Sequence, residues 1–140
     1  MQNLKLDTVL VLGKRNKKVK ELERILAEHF LEVKVTSKLT NSSELNPGMH
    51  FNLVVVTDSL EDKPDRDFGV NLRRLFPQAK VLGLFDKINP EIETNMRNAG
   101  LIFLGSYDHF SKHFPDILLS AFGSRERLQK HLDSITKRKH

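Results

Sequence analysis

Five cations crowd into seven residues at Lys14, Arg15, Lys17, Lys18 and Lys20, directly after the apolar run Val9-Leu10-Val11-Leu12 and Gly13. Lysines beside the free backbone N–H groups of a helix start suit a phosphate or an acidic partner loop. Cations also sit badly at the positive end of a helix dipole, so some compensation is required. The acidic stretch 58–67, with Glu61, Asp62, Asp65 and Asp67, can supply it from the same edge of a sheet. We favour that intramolecular pairing over an anion site built from Lys14, Arg15, Lys17 and Lys18.

Other chemistry is sparse. His109 and His113 have the four-residue spacing of helical metal ligands, but no third ligand is evident and Pro115 disturbs that segment. A surface pair is the expectation, with no metal site. Gly13-Lys14 lacks the glycine spacing and the Lys-Ser/Thr ending of a phosphate loop. The lysines of 13–18 also do not suit a flavin, which wants a hydroxyl- and glycine-rich loop. No serine, histidine and carboxylate set has nucleophile spacing. With no cysteine in the chain, thiolate chemistry and disulfides are excluded. Neither catalysis nor a cofactor is expected.

The elements that position these residues alternate between strand and helix. Val9 to Leu12 and Leu53 to Val56 are short, β-branched apolar runs, the pattern of parallel strands buried on both faces. Val19, Leu22, Ile25, Leu26 and Phe30 recur at helical intervals, and a second strand follows over 31–36. Between Leu39 and Phe51 the apolar residues scatter around Pro47-Gly48, so any helix there is short or irregular. Phe68 to Phe76 reads as a helix with Val70, Leu72, Leu75 and Phe76 inward, ended by Pro77. Val81 to Phe85 is the fourth strand. Pro90 to Ala99 is a helix closed by Gly100, and Leu101 to Leu104 is the fifth strand. Phe114, Ile117, Leu118, Ala121 and Phe122 make a last helical stripe with Pro115 in its first turn.

Five such units with short connections predict an α/β fold: a doubly wound, five-stranded parallel sheet of flavodoxin-like order 2-1-3-4-5 in three α/β/α layers. A ligand or reaction site then lies beyond the carboxyl ends of strands one and three, where the order reverses. The segments to watch are Gly13 to Lys18, Thr57 to Glu61, Phe85 to Lys87 and Gly105 to Tyr107.

Over roughly Asp7 to Phe122 the chain resembles the receiver domain of bacterial response regulators, the CheY-like family. The resemblance rests on "VKELERIL" after strand one, "FNLVVVTD" at strand three, "FGVNLRRLFPQAKVLGL" into strand four and "NAGLIFL" into strand five. It implies an acidic pair after strand one and a strand-three aspartate that together hold Mg²⁺, the aspartate accepting a phosphoryl group. A hydroxyl residue at the end of strand four and a lysine after strand five complete the family's site. Carried over by position, the acidic pair falls on Lys14 and Arg15 and the acceptor on Thr57. The hydroxyl falls on Phe85, and the lysine on Ser106 or Tyr107. Two cations at the metal position repel Mg²⁺, so metal-assisted phosphoryl transfer is expected to be absent. Asp58 stands one residue past the acceptor position, and a one-residue shift turns a strand side chain to the opposite face. A loop aspartate capping a turn is the favoured reading of it.

At 140 residues, 39% hydrophobic and 29% charged, with a net charge of +5, the chain is expected to form one soluble domain with a real core. The division predicted is a receiver-like domain at 1–123 and a basic helix or tail at 124–140. In that tail Leu128, Leu132 and Ile135 form a narrow seam among Arg125, Arg127, Lys130, Lys137, Arg138 and Lys139. No run is long enough to span a bilayer and no signal-peptide core opens the chain, so the expectation is a cytoplasmic protein without membrane contact.

The expected function is that of a degenerate receiver, a pseudo-receiver, recognising a signalling protein without phosphorylation. Its contact surface is expected on the helix at 90–99, the fifth strand, the last helix and the tail, with Met96, Tyr107, His109, Leu128 and Leu132 as contact residues. The same surface could form a homodimer. One alternative is a nucleic-acid or other polyanion-binding module using the basic loop and tail. Another is a phosphorelay regulator that uses Asp58.

Overall fold

The computed structural model describes residues 6–39, 45, 50–61 and 64–121. The elements run β1 (Leu6–Leu12), α1 (Lys17–Ala27), β2 (Phe30–Thr36), β3 (Leu53–Thr57), α2 (Phe68–Leu75), β4 (Lys80–Leu84), α3 (Pro90–Arg97), β5 (Leu101–Gly105) and α4 (Tyr107–Ala121). All strand pairings are parallel and the order is β2-β1-β3-β4-β5. This is the flavodoxin-like arrangement that the sequence predicts.

Alternation along the central strands builds two cores. Leu10, Leu12, Val54 and Val56 join Phe68, Leu72, Phe76 and Met96 in the layer of α2 and α3. Val9, Val11, Leu53 and Val55 join Val19, Leu22, Leu26, Phe110 and Leu118 in the layer of α1 and α4. Successive residues point to opposite faces, so a strand covered on both sides must be apolar throughout. The expected helix within 39–51 and the tail at 124–140 lie outside the described residues. Among the described residues no helix is long and apolar enough to cross a membrane.

Several local readings change. Val70 is 57% exposed rather than inward, because the buried face of α2 runs through Phe68, Gly69 and Leu72 and Val70 lies across the helix from it. Phe30 starts β2 instead of ending the helical stripe, although it packs in the same core. The last helix begins at Tyr107, seven residues before the apolar stripe from Phe114. Ser106 caps it by accepting the His109 N–H at 3.1 Å. His113, at φ −126° and ψ 15°, kinks the helix two residues before Pro115, as the proline ring demands. Gly100 takes φ +76°, the left-handed turn expected after the helix at 90–97.

Candidate functional site at the carboxyl edge of the sheet

Asn16 caps α1, its side chain accepting the Val19 N–H at 2.9 Å. No acidic residue stands in the first turn of α1, so compensation for its lysines comes from elsewhere in the chain. Lys14 pairs with Glu61 at 3.7 Å. The Arg15 guanidinium turns back along α1 and grips Glu23 through two bonds of 2.8 and 3.1 Å. Lys18 bonds Asp86, beyond β4. Among the described residues the acidic loop thus supplies Glu61 to Lys14, while Arg15 bonds Glu23 on α1 and Lys18 bonds Asp86 after β4. Lys14, Arg15, Lys17 and Lys18 are all exposed, and the first two point toward different carboxylates.

Thr57, at the acceptor position, is only 6% exposed. Its hydroxyl donates to the Leu12 carbonyl at 3.0 Å and lies 2.9 Å from the Ser59 hydroxyl. Gly13 lies directly against it: a Cβ there would come within 2.0 Å of Thr57 Oγ1 and 2.6 Å of Ser59 Oγ. Ser59 in turn bonds the Lys14 carbonyl at 3.2 Å. The junction between β1 and β3, where the strand order reverses, is thus closed by protein hydrogen bonds.

Asp58 sits one step further, in the turn after β3, and accepts the Asp86 N–H at 3.3 Å. Its carboxylate faces the mouth of β4. The Lys18 ammonium lies between α1 and this pair of aspartates. Its hydrogen bond to Asp86, aided by the charges of Asp86 and Asp58, raises its pKa above the ordinary 10.5 against a smaller opposing effect of desolvation. Phe85, at the hydroxyl position, is buried in the core of the α2 and α3 layer. Ser106, at the lysine position, serves as the helix cap described above.

The receiver resemblance implies Mg²⁺, and the residues present do not fit it. Two cations stand at the positions of the acidic pair, Thr57 offers a hydroxyl already bonded to protein, and the Lys18 ammonium is bonded to Asp86 beside Asp58. Mg²⁺ needs carboxylate oxygens in a near-octahedral set, and among the described residues no group of three histidines, cysteines or carboxylates can hold a metal ion.

Two openings flank Asp58 and Asp86. One, between α1, Leu84 and Tyr107, encloses about 20 Å³, room for a single water. The other is an open cleft of about 600 Å³ walled by Pro64, Phe85, Lys87, Glu91 and Ile92, a size that accepts a ligand or a partner's side chains. Asn95, 7% exposed, holds one wall of it by donating to the Pro64 carbonyl at 3.0 Å.

The expected contact surface loses one member. Met96 is fully buried, packed in the core of the α2 and α3 layer. Tyr107 turns toward α1, packing on its core and bonding Glu21; burial, then the Glu21 charge, raises its pKa above 10.0. His109 stays exposed on the β5 side, stacked on Phe103 with ring centroids 5.7 Å apart. Leu128 and Leu132 lie outside the described residues. The Lys18 pairing with Asp86 escaped sequence reading, since 68 positions separate the two.

No family model and no curated protein matches the chain. Two solved structures are similar to it. A protein of Burkholderia pseudomallei described as related to pilus assembly superposes with a TM-score of 0.54 at 9% identity, covering 86% of this chain and 95% of that one. A CpaE2 pilus assembly protein of Sinorhizobium meliloti gives 0.50 at 18% identity, covering 80% and 99%. The likeness is one of fold. At these identities it shows a shared fold and carries no residue roles with it.

Proposed function

We propose that this chain is a receiver-like module that works by binding a protein partner and does not accept a phosphoryl group. The observation that carries the reading is the Thr57 hydroxyl, committed to the Leu12 carbonyl beneath Gly13 at the place where a receiver needs an open carboxylate. Lys14 and Arg15 at the metal position support it electrostatically. The two structural relatives are described as pilus assembly proteins, which favours a docking role in an assembly or regulatory apparatus over a phosphorelay.

Incubating the protein with acetyl phosphate and Mg²⁺ and measuring its intact mass tests this. The expected result is no phosphoryl increment. An increment that vanishes in Asp58→Asn would establish the phosphorelay reading instead. Salt-sensitive retention on heparin that depends on Lys17 and Lys20, both exposed on α1, would favour the polyanion reading.

A further inference from the structure

The exposed face of β5 and α4 carries a pair of imidazoles that nothing above uses. His109 and His113 stand with ring centroids 4.5 Å apart and planes at 37°. Two imidazoles bound to one zinc at about 2.0–2.1 Å hold their centroids roughly 5 Å apart, so this spacing is within a small adjustment of chelation. Both residues are exposed. The His109 ring lies nearly parallel to Phe103, at 10°, which restricts its rotation before any ligand arrives. The kink at His113 breaks regular helical geometry next to that side chain. Asp108 and Lys112, on the same turn, bond each other at 3.1 Å, which leaves the two rings as the donors.

We infer that His109 and His113 form a two-imidazole seat for a divalent transition metal such as Zn²⁺, completed by the same pair from a second copy of this chain. Imidazole suits zinc, nickel and copper and not the hard cations of phosphoryl transfer. Among the described residues no group of three histidines, cysteines or carboxylates can hold a metal ion, so those residues give the seat two ligands and leave it open. A structural zinc takes four ligands. A two-fold axis through the metal brings the identical pair opposite and closes the tetrahedron with four histidines. The surroundings suit such a contact: β5 is an edge strand, and Ile102 beside Phe103 is 38% exposed.

The proposal rests on reading this face as the contact surface, and the experiment separates the two. The untagged full-length protein is titrated with ZnCl₂ by calorimetry, and its mass is followed by sedimentation with zinc and with EDTA. The expected result is one zinc per two chains, a doubling of mass with zinc, and reversal by EDTA. His109→Ala and His113→Ala should each lose at least the roughly 10- to 100-fold in affinity that removal of an outer-shell partner costs and stay monomeric, with unchanged circular dichroism. His50→Ala, an exposed histidine elsewhere, should behave as wild type. One zinc per chain with unchanged mass overturns completion by a second copy, and binding that survives the double alanine variant overturns the site. A dimer that forms equally in EDTA keeps the surface and removes the metal. A zinc dimer together with phosphoryl transfer to Asp58 removes the functional reading and leaves the site standing.

Discussion

The Thr57 hydroxyl donates to the Leu12 carbonyl at 3.0 Å, tying the end of β3 to its neighbour β1 at the position the receiver resemblance gives to the acceptor. The absence of a side chain at Gly13 permits that bond. In Gly13→Ala the new Cβ must push aside a β-branched, buried hydroxyl, because 2.0 Å from Oγ1 is no contact a carbon can keep. The expected loss is about 1–3 kcal/mol, the usual cost of overpacking. In Gly13→Ala/Thr57→Ala much of it should return, so urea melts of the four proteins should give strongly non-additive free energies. Additive losses would show that the two residues do not press on each other.

Thr57→Asp should not create a receiver. It replaces a donor with a carboxylate facing the Leu12 carbonyl in a nearly closed site, leaving an acceptor against an acceptor. The cost should be about 1–3 kcal/mol, that of a buried polar group without a partner. Intact mass after acetyl phosphate and Mg²⁺ should stay unchanged. A phosphorylated, stable Thr57→Asp protein would mean that the site is open after all.

The strands were readable in the sequence for a physical reason. Val9 to Leu12 and Leu53 to Val56 are covered on both faces, so every position had to be apolar, and Pro77 and Gly100 punctuate the helices on backbone grounds that need no tertiary information. The departure from the receiver pattern was readable because it depends on residue type: Lys14, Arg15 and Phe85 stand where the resemblance puts an acidic pair and a hydroxyl. What stayed hidden depends on partners remote in sequence. Met96 is buried among core residues of other elements, and Lys18 is tied to Asp86 across the sheet edge. The start of α4 was missed because its first two turns carry Asp108, His109 and Lys112, which dilute the apolar period. Tyr107 is half-buried against the α1 layer, a contact with an element remote in sequence.

Stability should decline on the alkaline side through Lys18 and Tyr107. Both have raised pKa values in the fold, Lys18 chiefly through its hydrogen bond to Asp86 and Tyr107 chiefly through burial. Each contributes fully below its ordinary value and loses that contribution as pH climbs through its folded value, since the folded state then binds more protons than the unfolded chain. Urea midpoints measured from about pH 9 to about pH 11.5 should fall for the wild type beyond 10.0 and 10.5, the ordinary values for Tyr and Lys. The fall should be shallower in Lys18→Gln/Tyr107→Phe. Parallel curves would show that neither group is coupled to folding.

Asn95 links α3 to the wall of the open cleft through the Pro64 carbonyl at 3.0 Å. Asn95→Ala should cost about 0.5–1.5 kcal/mol, the net worth of one hydrogen bond. Asn95→Asp should cost more, because its carboxylate meets the carbonyl as a second acceptor. Equal urea midpoints for the two variants would indicate that the amide is not engaged with Pro64.

Gly69→Ala sets two effects of known size against each other. Alanine is the better helix former by about 1 kcal/mol in a helix interior, which taken alone would stabilise α2. Yet a Cβ at Gly69 would stand 2.8 Å from both the Ala99 N and the Asn98 carbonyl carbon. Those are backbone atoms, held by the bond from the Ala99 N–H to the Met96 carbonyl at 3.0 Å and by the left-handed turn at Gly100. They cannot rotate away as a side chain can, so α2 must withdraw from the end of α3. Overpacking of this kind costs about 1–3 kcal/mol, and because Gly69 is the second residue of α2 the helix interior gain applies only in part. The net should therefore be destabilising, seen as a lower urea midpoint at unchanged slope. Val70→Ala, one residue along on the exposed face, should stay within about 0.5 kcal/mol of wild type. If Gly69→Ala instead raises the midpoint, the close approach of the two helices at Asn98 and Ala99 is wrong.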